Sequence, residues 1–440
     1  MTYTTPMFNL KAVVEETGIT AHTLRAWERR YGLPRPARSE AGHRLYSQRD
    51  IDVLKWLIAR QQEGLSIGRA AELWQALEAE GREPLQAMPL LPPAAMPAGG
   101  KLAELRQAWV SACLAFDEAR AEQVVTGAFA LYGPEMACLE VLQRGLAQIG
   151  EAWYAGQASV QQEHFATALA MRRLDGSVLA TPPPTRAGRI LVACPPEEEH
   201  AFSLLLAAFL LRRRGWDVLY LGANVPIARL ETAIAARRPQ LVLSAAQQLP
   251  TAATLLEMAR FLYGEQIPLA FGGWIFNRLP ALPARIPGHF LGQTIPQGVQ
   301  AAEQLMLAPR PLPQAGGQEV AFEHESSQER RRALAHYRER QPRIEAELWQ
   351  NLATMGMAEK DLTMANDALA RHISAALILC EMSFLDTCLD WAQGLLHNHG
   401  LPLDVLSNYL RAYHRAAQAH LDERATPIVN WLATQLSQEK

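Results

Sequence analysis

Cysteine is scarce in this chain and badly placed for cross-linking. The five present (Cys113, Cys138, Cys194, Cys380 and Cys388) are odd in number and scattered, with no CxxC pair. That pattern excludes a disulfide framework and a cysteine-rich zinc site, and it suits a reducing compartment. Long apolar runs are also missing. The longest, residues 201–211, ends in Arg212-Arg213-Arg214 and falls short of the roughly 18 residues a bilayer span requires. It reads as a buried helix of an α/β layer. The opening residues, Met1–Pro6, lack a basic stretch followed by an apolar one, so no secretory leader is expected and the cytoplasm is the expected compartment. Charge of one sign is lacking too. A net charge of −3 gives the whole molecule no attraction for nucleic acid, so any basic surface must be local. No Gly-rich phosphate loop or nucleophile–base constellation stands out, and no enzymatic activity is expected.

What is present is a long, ordinary globular composition: 440 residues, 49% of them hydrophobic and 20% charged. Length alone suggests about two to four domains. Residues 81–100 and 309–319 are rich in Pro, Ala and Gly without a sustained period and read as linkers. A smaller break, Thr181-Pro-Pro-Pro-Thr185, separates helical residues 101–180 from residues 186–308. The latter alternate helices with apolar strand candidates at Ile190–Cys194, Asp217–Gly222, Leu241–Ala245, Pro268–Gly273 and His289–Gly292. Such a rhythm predicts a flavodoxin-like, doubly wound parallel sheet. Residues 320–440 return to helix. The expected fold is therefore multidomain α and α/β: a winged helix-turn-helix at 1–80, a helical bundle, the parallel sheet, and a C-terminal all-α domain.

Residues 15–20 close one helix on Gly18 and offer Thr20 as N-cap of the next, which carries His22, Thr23, Arg25, Trp27, Glu28, Arg29, Arg30 and Tyr31. From Arg25 to Arg49 there are seven arginines against two glutamates, a local excess of +5. After Gly32-Leu33-Pro34 the segment through Ala41-Gly42-His43-Arg44-Leu45-Tyr46 reads as a hairpin, with Arg38, His43, Arg44 and Tyr46 expected on its wing to hold phosphates. A solvated arginine face explains most charge runs. Here the glycine turn, basic helix and basic hairpin come in recognition-unit order. The residues from Thr23 to Leu33, then Gly42 to Tyr46, then Asp50-Ile51 resemble the MerR family of transcriptional regulators over residues 7–75. The resemblance implies operator DNA read by a dimer, with Trp27 packed against the wing rather than on a base.

Three weaker signals follow. Trp153 is separated by nine residues from Glu163-His164, across the 156–159 turn. Core packing plus a helix dipole explains that pair equally well. Glu198-Glu199-His200 follows the first strand, where open parallel sheets bind ligands, although a lone histidine there is more often solvated. Ser244 ends one strand and Gly272-Gly273 another, small residues that admit a bulky group to the backbone or simply make turns. In their order, residues 101–308 resemble the cobalamin-binding module of methionine-synthase type, as used by the light-sensing CarH/LitR group of MerR-type repressors. The resemblance implies a cobalamin cofactor, most naturally adenosylcobalamin with light as trigger. His200 would be the lower axial cobalt ligand, with Glu198 beside it. Trp153 would cover the upper face with Glu163 and His164, Ser203 would close the His200 loop at the cofactor, and Ser244, Gly272 and Gly273 would line the tail channel. The chain departs from the pattern at three points. Ser203 stands where the His200 loop carries glycine, Ala246 where the strand-end motif carries leucine, and Tyr154 where the photoreceptor members carry a histidine after the tryptophan. A degenerate module, or one holding haem, a bilin or a protein partner, remains the alternative. Methyltransferases and mutases with such modules need a large barrel for substrate, and no block here reads as one.

The C-terminal block opens on a charged helix (Glu329-Arg330-Arg331-Arg332), and His399-Gly-Leu-Pro402 separates two later helices, much as Tyr132-Gly-Pro134 breaks the stretch 116–142. His397 and His399 read as solvated loop residues, and the block as a separate interaction or oligomerisation domain. A homo-oligomer, dimer or tetramer, is expected, with RNA polymerase a further candidate partner and no membrane.

Overall fold

Helix α1 (Leu10–Thr17) starts at Asn9, whose side chain accepts the Ala12 N–H, and stops at Gly18 in the left-handed region (φ 73°). Thr20 then caps α2 (Ala21–Tyr31) by accepting the Thr23 N–H. This glycine stop followed by a threonine start is what turns one helix into the next. A short antiparallel hairpin, β1 (Ala37–Arg38) and β2 (Arg44–Leu45), forms the expected wing. Helices α3 (Gln48–Gln62) and α4 (Ile67–Ala79) follow. Leu24, Trp27, Tyr46, Trp56 and Trp74 fill the common core, the last two tryptophans meeting edge to face at 5.2 Å. The computed structural model describes residues 6, 8–38, 42, 44–62, 67–79, 100–308, 325–351, 358–399 and 403–438. His43 and nearly all of the two expected linkers lie outside these. The chain divides into two units, Met1–Pro97 and Ala98–Lys440.

The second unit begins with four helices, α5 (Gly100–Leu114), α6 (Glu118–Met136), α7 (Arg144–Tyr154) and α8 (Val160–Leu179). The break expected at Tyr132-Gly-Pro134 is a kink: Gly133 takes φ 76° and the helix resumes. All five expected strands form: β3 (Arg189–Ala193), β4 (Asp217–Gly222), β5 (Leu241–Ala245), β6 (Leu269–Gly272) and β7 (His289–Phe290). They pair in parallel in the order β4-β3-β5-β6-β7. That is the flavodoxin-like order, whose switch point falls between β3 and β5. Both central strands are apolar but for Arg189 at the start of β3 and Ser244 in β5, because both faces are covered. Ile190 and Val192 pack toward α9 (Phe202–Arg213) and α13 (Ile295–Leu307) in the same core as α5–α8. Leu191 and Ala193, one residue out of phase, pack with α11 (Leu249–Gly264) in a different core. The remaining layer helices are α10 (Leu230–Arg237) and α12 (Trp274–Arg278).

The C-terminal helices are α14 (Glu325–Gln350), α15 (Glu359–Ile378), α16 (Phe384–Asn398), α17 (Leu403–His420) and α18 (Thr426–Gln438). They were expected to stand apart. Instead one continuous apolar core runs from Leu256 and Met258 of α11 to Ile373 and Leu377 of α15. The cause is legible in α11, which is buried on nearly every side; a helix apolar all round needs a cover on both flanks. Among the described residues, no helix is long and apolar enough to cross a membrane.

Candidate ligand site and nucleic-acid interface

The loop after β3 is built around one buried carboxylate. Glu198 accepts both the backbone N–H of His200 (2.9 Å) and its ring Nδ1 (2.7 Å) on Oε1, and the Thr251 hydroxyl (2.6 Å) and Gln247 N–H (2.7 Å) on Oε2. Burial alone would raise its pKa, but the hydrogen bonds from His200, Thr251 and Gln247 outweigh it and hold the carboxyl below its ordinary value. The same bond to Glu198 raises His200, against burial, and the charges of Glu163 and Glu199 add to it. With Nδ1 committed to Glu198, the neutral imidazole presents Nε2 as its lone-pair nitrogen on a ring whose side chain is 60% exposed. A carboxylate that fixes the tautomer and aim of an open imidazole is the arrangement a metal-ligating histidine requires. Glu198, expected beside His200, is fully buried and orients its imidazole.

The loop is strained and pinned. Glu197 (φ 67°) and Asn224 (φ 50°) are both left-handed. Asn224 accepts the Glu197 N–H and donates to Glu199, while the Thr254 hydroxyl donates to the Pro196 carbonyl. Such backbone strain persists only where surroundings over-determine it.

The other expected residues gather at the same end of the sheet or across from it. Glu163 and His164 occupy the first turn of α8, which Ser159 and Gln162 start with a reciprocal capping box. Glu163 accepts from Thr167 (2.8 Å) and lies 2.8 Å from His164 Nδ1. Its charge also adds to the upward shift of His200. Ser203 lies half-buried in the first turn of α9, with Phe202 buried beside it. Ser244 is buried in β5, and its hydroxyl donates to the Ala193 carbonyl (2.7 Å), bracing the switch point. Gly272 ends β6. Gly273 sits at φ 125°, and a Cβ there would overlap the Ala246 carbonyl. Cys113, Cys138 and Cys194 do not compete for a metal as thiolates: burial pushes each up to about 12. Together these residues fit a large cofactor whose metal takes one imidazole.

Trp153, at the end of α7, is not a free wall. Its indole lies 6.1 Å from Trp391 and 6.3 Å from His399, centroid to centroid, and Tyr154 stacks on Trp391 at 5.8 Å. His399, exposed as expected, also donates from Nε2 to the Trp153 carbonyl (3.0 Å). Nothing local in the sequence marks this pairing, because residues 154 and 391 are remote and neither motif is periodic.

On the first unit, His22, Arg25, Arg29 and Arg30 of α2 and Arg38 of the wing are exposed. Arg30 lies over the ring of Tyr31. Thr20 and Thr23 spend their hydroxyls on each other (2.8 Å) at the cap. Two wing residues correct the expectation. Tyr46 is fully buried and its hydroxyl donates to Glu28 (2.5 Å), which with burial pushes its pKa well up. Arg44 Nε donates to the other oxygen of Glu28 (2.7 Å), raising its own pKa. Tyr46 is out of reach of phosphate in this arrangement, and both residues fasten the wing to α2, Arg44 with a third of its side chain still exposed. The signal available in the sequence was Glu28 itself, an acid set among five neighbouring bases.

With both sites described, the comparisons define a class: a MerR helix-turn-helix regulator carrying B12-binding domains. Residues 8–77 match the MerR HTH family regulatory protein model, and residues 105–175 and 188–292 match two B12 binding domain models. The chain belongs to the family of the HTH-type transcriptional repressors CarH and CarA of Myxococcus xanthus. It is 37% identical to CarH over 241 residues, covering 53% of this chain and 77% of the relative. To CarA it is 33% identical over 236 residues, covering 53% and 74%. Among solved structures, a Methanosarcina barkeri monomethylamine corrinoid protein aligns at TM-score 0.39 and 17% identity, covering 46% of this chain and 99% of that one.

Proposed function

We propose that this transcriptional regulator binds cobalamin, as adenosylcobalamin, at the Glu198–His200 loop, and that the state of the bound cofactor, altered by light, sets its grip on operator DNA. The observation that carries the reading is His200. Its Nδ1 is locked to a buried, four-times hydrogen-bonded carboxylate, which leaves Nε2 as the ligating nitrogen of an exposed side chain. Thr251 and Gln247 keep Glu198 ionised, Glu198 keeps the imidazole in the tautomer that ligates, and Ser244 and Gly273 leave the strand ends free of bulk. The bound group would supply a cobalt–carbon bond that light can break. The exposed arginines of α2 would enter a major groove and the wing lie on the backbone, two chains reading one operator.

The test is a visible spectrum. Wild-type chain mixed with adenosylcobalamin in the dark and gel-filtered should retain a corrinoid spectrum that His200→Ala abolishes or changes. Illumination should then change operator affinity in a mobility-shift assay. Absence of corrinoid in the protein fraction would remove the cobalamin half and leave DNA binding standing.

A further inference from the structure

The C-terminal helices touch the proposed cofactor site from both of its sides. On the α/β side, Arg371 of α15 donates to Glu197 (3.2 Å), the strained residue of the His200 loop. Behind that loop, α11 supplies the pins Thr251 and Thr254 and shares its core with α15. On the bundle side, the tip of α16 seats on the end of α7. Trp391 stacks on Tyr154, Asn398 Nδ2 donates to the Tyr154 carbonyl (3.0 Å), and His399 Nε2 donates to the Trp153 carbonyl (3.0 Å). The fit is close at Gly394, where an added methyl would overlap Tyr154 Oη. The two attachments differ in kind. The α11–α15 contact is a buried apolar core, whereas the α16 tip holds by two hydrogen bonds and aromatic faces, with Trp391 still 37% exposed. The weaker attachment is the one that opens first.

We infer that the α16 tip is a latch: Trp391, Asn398 and His399 hold the Trp153 end of the bundle to the α/β layer, so that a cofactor between Trp153 and His200 leaves only when the tip lets go. This rests on the cobalamin reading above. Trp391 and His399 act as positioning residues, through Trp153, rather than as ligands. Occupancy of the site and docking of the tip are then coupled, and each stabilises the other.

Gly394→Ala is the sharpest probe. It improves the helix in which it lies, so any loosening comes from the overlap with Tyr154, and Tyr154→Phe, by removing the hydroxyl, should relieve part of it. In the full-length, cofactor-free chain, hydrogen exchange of residues 150–158 and 391–399 should quicken together in Gly394→Ala and in Trp391→Ala, and slow again in Gly394→Ala/Tyr154→Phe. With hydroxocobalamin loaded and an excess of apo-acceptor added, release followed in the visible should be at least ten-fold faster in the two single variants and partly restored in the double. Unchanged release in variants whose tip exchanges freely would overturn the latch while leaving cobalamin binding intact. A wild-type chain that retains no hydroxocobalamin would overturn the cobalamin reading and the latch with it.

Discussion

Removing Glu28 should unfasten the wing. Its carboxylate, nearly buried, is shared between Arg44 Nε at 2.7 Å and Tyr46 Oη at 2.5 Å. Hydrogen bonds involving a charged group contribute about 1.5–3 kcal/mol each. Arg44 keeps a third of its side chain exposed and can turn to water, so its share falls at the low end. Tyr46 is fully buried, and its hydroxyl would be left without a partner. Glu28→Ala should therefore cost the first unit about 2–4 kcal/mol, which for a domain of this size moves its melting midpoint by roughly 10–25 °C. Hydrogen exchange of peptides within residues 8–77 of the full chain reads that unit alone. Tyr46→Phe should cost about 1–2 kcal/mol in the wild-type background and almost nothing beside Glu28→Ala. If the two losses instead add to within about 0.5 kcal/mol, the carboxylate does not hold the hydroxyl and the account of the wing fails.

Three further outcomes are expected. Glu198→Gln should leave the fold intact but weaken cobalamin binding about 10–100-fold, the usual consequence of losing the partner that aims a ligating histidine; unchanged titration curves would show that His200 needs no orienting group. Gly273→Ala should be severe, about 4 kcal/mol by urea unfolding of the second unit, because the methyl meets the Ala246 carbonyl and φ is 125°; a loss under about 1 kcal/mol would mean the strand end yields. Arg29→Ala should lower the slope of log affinity against log salt for operator DNA by about 1, and a slope equal to wild type would place that exposed arm away from the phosphates.

Much of this architecture could be read from residue order. The strands were legible because β3 and β5, covered on both faces, are almost wholly apolar, and the recognition helix because Gly18 ends one helix and Thr20 starts another. Burial was less legible. Tyr46 looked like a wing residue reaching for phosphate, since the hairpin pattern does not say which side faces α2. That an acid, Glu198, lies near His200 is plain in the sequence, but not that Thr251 and Gln247 close over it. The docking of residues 391–399 on Trp153 had no local signature at all. Contacts between segments more than two hundred residues apart depend on the packing of everything between them.

The cover over α11 has a practical consequence for anyone dissecting the molecule. Leu255, Leu256, Met258 and Leu262 are buried in the core that the C-terminal helices complete, and the family alignment spans only 53% of the chain. A truncation at residue 308, just past the last helix of the α/β layer, would bare part of this greasy face to water. Such a fragment should self-associate on sedimentation at micromolar concentration, and a fragment that stays monomeric would show that the face is less sticky than its composition indicates. An oligomer seen in that fragment would then report on the cut, and only the full chain can say how many copies meet on an operator.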